Sequence, residues 1–443
     1  MKSTARRLVE TLRAAGHEAL LAGGCVRDLL LGREPKDYDI ATSATPQQVA
    51  GLFPRTVGVG AQFGVMMVIE PDGEYEVATF RTDGEYKDGR RPEGVTFASA
   101  AEDAKRRDFT INGLFLDPVT DEVIDHVGGR ADLTARRIRA IGDPRKRFEE
   151  DRLRVLRGVR FAAALDFEIE PVTWDAIRDF APRIHDVSPE RIREELSRIL
   201  THPSRLRGFD LLDASGLLHE ILPEVEATKG CEQPPEFHPE GDVFVHTRIM
   251  LGMLRSDASL PLALGVLFHD IGKPPTFQRD PTGRIRFNGH EYVSAELTRG
   301  IMTRLKFPNA VIDATEALVR NHMAFKDVQR MRVAKLKRFL ARETIDDELE
   351  LHRVDCASSH GMLDNLDFLI AKREEFANEP LIPPPLITGH DLIKLGWKPG
   401  PRFKIVLDAV ETRQLEGSLQ TREQALAWLA TNPPEIQEDT PES

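Results

Sequence analysis

The apolar positions change period several times along the chain, and those changes outline its organisation. In residues 1–17 leucines and valines recur at helical spacing among arginines and glutamates. That predicts an amphipathic helix belonging to the fold and not a signal peptide. Residues 64–69 and 75–80 read as strands on either side of the turn Pro71-Asp72-Gly73, and residues 118–121 as a turn between two further strands. Residues 151–200 carry a helical pattern with a break at Pro171 and a restart at Ser188-Pro189, where Ser188 suits an N-cap and Pro189 the first helical position. Residues 204–225 are helical by the same spacing. The Pro/Gly-rich stretch 223–241 marks a boundary. Residues 242–370 are mostly helical with scattered histidines, 380–385 form an extended proline-rich linker, and 388–430 a small helical end piece. No internal repeat is visible.

Composition narrows this to a multidomain protein with ordinary cores. The chain has 443 residues, enough for two to four domains, with 41% hydrophobic and 30% charged residues. No run of about 18 apolar residues occurs, so no membrane span is expected. Cys25, Cys231 and Cys356 are far apart, which argues against a disulfide framework and for a reducing, cytoplasmic setting. The net charge is −12, unhelpful for binding phosphates, yet a local basic surface suffices. Residues 130–160 hold such a concentration of arginine, and part of the acidic excess falls in residues 431–443, an expected disordered tail.

Candidate chemistry is densest near the N-terminus. Gly23 and Gly24 let a backbone approach a phosphate closely, and a helix start beside them favours an anion. Arg27, Asp28 and Gly32 follow, then Asp37-Tyr38-Asp39 in a run that reads as a strand. On a strand, positions i and i+2 share a face about 7 Å apart, and two such carboxylates can share divalent cations. A phosphate cradle followed by a metal-holding pair is what nucleotidyl transfer needs. Two-metal transfer calls for a third carboxylate; Glu74 and Glu76 share one strand face, and pattern alone does not choose between them.

This string resembles the first signature of class II tRNA nucleotidyltransferases and bacterial poly(A) polymerases, in the superfamily named after DNA polymerase beta. The resemblance continues in order to about residue 430. It implies an α+β fold: a polymerase-beta-type head with a mixed sheet and helices in 1–145, then all-α neck and body in 146–225, an HD domain in 240–370 and a helical tail in 386–430. It implies catalysis by Asp37 and Asp39 with Mg²⁺, and favours Glu76, which lies in a similar Glu-Val-x-Thr-Phe-Arg string. Gly24 and Arg27 would bind nucleotide. Arg107 and Asp108, in the second signature, would select ribose, since a 2′-hydroxyl both donates and accepts. Arg154, Arg157 and Arg160 recur three apart near one helix face and would meet the triphosphate. Glu195 and Arg198 match an acidic–Asp–x–x–Arg string that reads the incoming base, with Glu195 where the family commonly has Asp. The glycine-rich, charged stretch 81–93 resembles the flexible loop of enzymes that add the terminal A, and 56–65 resembles the CCA-adding pattern more than that of poly(A) polymerases.

His246, His269-Asp270 and Asp355 have the order of an HD phosphohydrolase, and His290 and His322 could complete a two-metal site. Such ligands suit Ni²⁺, Mn²⁺ or Co²⁺ as well as Mg²⁺. By resemblance the substrates there are 2′,3′-cyclic nucleotides, 2′-nucleotides or phosphate-ended RNA. The tail, with Lys394, Lys398, Arg402 and Lys404, would contact tRNA. The expected function is template-independent addition of CCA to tRNA from CTP and ATP, with no membrane partner. A homodimer through the HD domain is an arrangement such domains allow. The alternatives are A-only addition, poly(A) synthesis, and an HD hydrolase with a nucleotide-sensing head.

Overall fold

A computed structural model describes residues 1–60, 64–83, 95–236 and 238–431. The chain divides into two units. One comprises Met1–Lys229 with Arg255–Ala263 and Gly300–Asn309, and the other the remaining segments from Gly230 onward.

The first unit opens with helix α1 (Lys2–Ala14), whose Ala5, Leu8, Val9 and Leu12 are buried at the i, i+3, i+4, i+7 spacing of an amphipathic helix. Next come β1 (Ala19–Ala22), α2 (Gly24–Leu30), β2 (Ile40–Thr42), α3 (Pro46–Leu52), β3 (Thr56–Gly60), β4 (Val65–Glu70) and β5 (Gly73–Thr79). β6 (Arg81–Asp83) pairs with β7 (Val95–Phe97). α4 (Ala100–Arg106), β8 (Leu114–Leu116) and β9 (Val123–Asp125) follow. The main sheet has seven strands in the order β3-β4-β5-β2-β1-β8-β9. It is antiparallel except where β2 runs parallel to β5, with Ile40 opposite Val77. The expected turn at 118–121 joins β8 to β9. The expected loop at 81–93, the segment 61–63 and the acidic tail lie wholly or largely outside the described residues.

Beyond the sheet the unit is helical: α5 (Gly129–Thr134), α6 (Pro144–Glu150), α7 (Leu153–Leu165), α8 (Pro171–Phe180) and α9 (Pro189–Leu200). Pro171 starts α8 at its first position, and Ser188 is the N-cap of α9 ahead of Pro189, but the Ser188 hydroxyl makes no capping hydrogen bond. Gly158 of α7 is a packing requirement. A Cβ there would stand 3.0 Å from Ile177 and 3.1 Å from the Phe109 ring.

The second unit is mostly helical. Helices Val243–Met253 and Ile345–Ser358 contribute His246 and Asp355 to a polar centre. A separate core of Ile387, Leu392, Val406, Val410, Leu419, Ala425 and Leu429 holds the C-terminal helices together. No helix among the described residues is long and apolar enough to cross a membrane.

Candidate functional site

Asp37 and Asp39 do not lie within a strand as the pattern suggested; they immediately precede β2. The ladder nevertheless reaches back to them, since the Ala22 amide donates to the Asp39 carbonyl at 3.0 Å. The alternation also holds: Tyr38 is buried while Asp37 is exposed and Asp39 half-buried. The β2–β5 register orders the two glutamates along the carboxylate pair. With Ile40 opposite Val77, Glu76 falls beside Asp39 and Glu74 a full pleat away. Burial lifts the Asp39 carboxyl to about 7, helped by the charges of Glu76 and Asp37 and opposed by Arg107. The charges of Glu76 and Asp37 thus reach an Asp39 carboxyl already reluctant to ionise, and oxygen donors of this kind suit a divalent cation.

The glycine turn is built for close approach. Gly23 has φ +74°, and a Cβ there would lie 2.9 Å from the Arg107 guanidinium and 4.0 Å from Asp39 Oδ2. Gly24 begins α2, and Arg27 of that helix donates to Asn112 Oδ1 at 2.8 Å.

Arg107 and Asp108 are neighbours in sequence but not partners in space. Arg107 is held by Asp103 at 3.0 Å. Asp108 accepts from Arg157 at 2.8 Å, Asn112 at 3.1 Å and the Phe109 amide at 2.7 Å. Burial opposes ionisation of Asp108, but Arg157 and these donors outweigh it and hold the carboxyl at about 2.

The three arginines of α7 divide. Arg154 is buried and committed to Glu150 at 2.6 Å and to the carbonyls of Arg147 and Arg106. Arg157, Arg160 and Arg27 instead gather around the Phe161 ring, with guanidinium carbons 5.2, 4.1 and 5.4 Å from its centroid. Glu195 of α9 is buried beneath them, 2.5 Å from Arg160 and 3.9 Å from both Arg157 and the more exposed Arg198. Phe161 escaped the sequence reading because it looks like any core aromatic.

The basic stretch 130–160 is less free than its composition suggests. Arg139 lies 3.2 Å from Asp132, and Arg152 joins Glu149 to Asp186 at 2.9 and 2.8 Å. Much of its charge is neutralised within the unit.

In the second unit all six expected histidine and aspartate residues meet. His246 Nε2 is 3.1 Å from Asp355, His269 Nε2 is 3.1 Å from Asp270, and His290 Nε2 is 3.3 Å from Asp270 and 3.1 Å from His322 Nε2. His269, His290 and His322 point Nδ1 at the carbonyl three residues back, at 2.9, 2.8 and 2.6 Å. A carbonyl only accepts, so Nδ1 carries the proton and each Nε2 lone pair faces the centre. His269 Nε2 and Asp270 Oδ1 are buried without a hydrogen bond, which fits a cation at this point. Burial, with His290 and His269 alongside, lowers His322 to about 3. His246 also suffers from burial, but hydrogen bonds with Asp355 and Glu240 lift it to about 9. Lys273 lies 2.6 Å from Asp270 Oδ2 and from Gln233. A cleft of about 830 Å³ opens over the centre, lined by Lys273, Arg286, Phe287, Met323, Lys326 and Asp355 among others. His238 and Glu240, which also adjoin the centre, sit in a proline-rich linker where sequence gives no helical period to flag them.

Comparison with known proteins agrees with this division. Residues 19–139 match the poly A polymerase head domain, 166–229 the probable RNA and SrmB-binding site of polymerase A, and 243–355 the HD domain. A CCA-adding enzyme of Levilactobacillus brevis is 33% identical over 431 residues, covering 97% of each chain. One from Streptococcus pyogenes is 47% identical over 208 residues, 47% of this chain and 52% of that protein, so that match spans only about half its length. The crystal structure of the Bacillus stearothermophilus CCA-adding enzyme in complex with CTP has a TM-score of 0.75 at 28% identity, over 97% of this chain and 96% of that one. With 33% identity to one such enzyme over 97% of both chains, the chain belongs to the CCA-adding enzymes, a family of nucleotidyltransferases.

Proposed function

We propose that this enzyme completes the 3′-CCA end of tRNA from CTP and ATP without a nucleic acid template, in the cytoplasm. The observation that carries this reading is the corner formed by Asp37, Asp39 and Glu76. The cation proposed there is Mg²⁺, held by Asp37 and Asp39 with Glu76 as the third carboxylate; bound, it neutralises triphosphate charge and makes the RNA 3′-hydroxyl a better nucleophile. The protein's part is positioning. Gly24 and Arg27 bring backbone and guanidinium to the phosphates, and Arg157 and Arg160 present charge beside the Phe161 face. Asp108, kept ionised by Arg157, accepts from the ribose 2′-hydroxyl, and Arg107 closes over the Gly23 turn. Glu195 and Arg198 meet the Watson–Crick edge of the base. Glu195 is pinned by Arg160, which leaves Arg198 as the partner free to shift between C and A. Arg154 supports the ridge from within. In this reading 1–145 is the catalytic head, 146–225 neck and body, and 386–430 a tRNA-contacting tail. Incorporation of labelled CTP and ATP into tRNA lacking its 3′ end tests the proposal.

The second unit supports a second activity. His246, His269, Asp270, His290, His322 and Asp355 would hold Ni²⁺, Mn²⁺, Co²⁺ or Mg²⁺, and the cationic wall of the cleft at Lys273, Arg286 and Lys326 suits a phosphate ester. A cation held there would supply polarisation of the phosphoryl group. Phosphodiesterase activity toward 2′,3′-cyclic nucleotides is expected on adding Ni²⁺ or Mn²⁺. His269→Ala should remove it by at least about 10²-fold while CCA addition continues; absence of activity with every cation would leave the centre a structural role.

A further inference from the structure

The four candidate ligand histidines of the second unit are not oriented alike. His269, His290 and His322 each give Nδ1–H to a neutral backbone carbonyl. Of the four, His246 is the one whose Nδ1 hydrogen-bonds a carboxylate, 2.7 Å from Glu240 Oε1, with Ser358 Oγ at 3.3 Å; Glu291 stands 3.7 Å from His290 Nδ1, beyond hydrogen-bond distance. We infer that Glu240, which stands outside the ligand set, positions His246 and makes the cation position on the His246 side of Asp270 the tighter of two, so that the centre loads in a fixed order. This inference rests on the metal-centre reading given above.

The argument begins with the hydrogen bond. A carboxylate behind an imidazole fixes its tautomer and ring orientation and raises the basicity of the opposite nitrogen more than a carbonyl does. Glu240 is well placed to do so because its side chain is only 7% exposed, so solvent screens the charge weakly. His238 covers it from the cleft side, donating Nδ1–H to the same oxygen at 2.9 Å. Beyond His246, Nε2 faces Asp355 at 3.1 Å.

Two positions follow from the geometry. One is framed by His246, His269 and Asp270, with Asp355 adjoining; the other by Asp270, His290 and His322. The first has Asp355 and Glu240 close by, against the one ammonium of Lys273 on Asp270 Oδ2. The second has the shared Asp270 and two imidazoles whose Nδ1–H groups go to carbonyls, with Glu291 farther off at 3.7 Å from His290 Nδ1 and more exposed than Glu240. Charge and ligand basicity therefore favour the His246 side.

His238, Glu240 and His246 could also be imagined holding a cation of their own. Their separations of 2.7 and 2.9 Å are those of shared protons. They fall short of the roughly 3.3 Å between tetrahedral ligands bound at about 2.0 Å. His246 moreover turns Nδ1, not Nε2, toward Glu240, so one ring cannot serve both places as a neutral ligand.

The test titrates the full chain, stripped by chelator, with Ni²⁺ against a competing fluorescent chelator. An Asp39→Asn background and the preference of Ni²⁺ for imidazole keep the ion off the oxygen-only head. Two binding steps are expected. Glu240→Gln keeps an acceptor for both histidines but loses the charge. It should weaken the tighter step by about 10-fold or more, leave the looser step unmoved, and bind the same number of ions per chain. Coincident melting curves of the metal-free chains establish that the variant is folded. Unchanged affinity in Glu240→Gln overturns the inference and leaves the metal centre standing. Loss of one whole ion per chain makes Glu240 a ligand and also overturns it. A parent chain that binds no Ni²⁺ overturns both readings.

Discussion

Asp39→Asn is expected to abolish nucleotide addition and, at the same time, to stabilise the cation-free protein above pH 7. The first effect should reach about three orders of magnitude or more, since a metal-holding carboxylate supports several kcal/mol of transition-state stabilisation. The second follows from the raised carboxyl, which burial, Glu76 and Asp37 bring to about 7. A folded-state value above the unfolded one means the folded chain holds the proton more tightly. Stability is therefore fully present below about pH 4, declines as pH rises, and is lost once pH passes 7. Asparagine has no proton to lose. Melting curves in EDTA should show the variant ahead of the parent at pH 8 and level with it near pH 4. Divalent cation should raise the parent's melting temperature at pH 8 and not the variant's. A variant less stable than the parent at pH 8 would mean that Asp39 is not under repulsion from its neighbours.

Asp108→Ala should be the most damaging single change to the head. It removes the acceptor of Arg157, Asn112 and the Phe109 amide together, and leaves Arg157 with Glu195 3.9 Å away as its nearest remaining carboxylate. Truncating one partner of a buried ion pair costs about 3–5 kcal/mol. The melt should fall accordingly at pH 7, where the parent carboxylate is fully ionised. Asp108→Asn keeps an acceptor of the same shape and should lose much less stability. In the proposed role it should still lose preference for CTP over dCTP, so the asparagine variant separates ribose selection from folding. Parent-like discrimination in Asp108→Asn would assign Asp108 to the framework alone.

How much of this was legible depended on whether the deciding contact was local. The glycine turn, the Asp-x-Asp spacing, and the ordered histidines declare themselves because backbone freedom, strand alternation and ligand chemistry act within a few residues. That Glu76 falls opposite Asp39 comes from the parallel pairing of β2 with β5, which no alternation reveals. Arginines three apart share a helix face, but only packing decides that Arg154 turns inward to Glu150 while Arg157 reaches Asp108, 49 positions away. Arg107 and Asp108 adjoin in the chain and share one expected role, but only packing gives them separate partners in Asp103 and Arg157. Glu240 was hidden for the opposite reason: nothing periodic surrounds it, and its importance comes from His246 folding back onto it.

The most direct test of CCA addition offers the purified enzyme three tRNA substrates, ending at the discriminator base, at C and at CC. Each receives CTP alone, ATP alone or both, with Mg²⁺, and products are read at single-nucleotide resolution. With both nucleotides the account predicts completion of all three substrates to CCA, C before A, followed by a stop; CTP alone should halt at CC, and ATP alone should complete only the CC-ended tRNA. Given both nucleotides, addition of a single A to the CC-ended tRNA alone, or of an A tract, would contradict it.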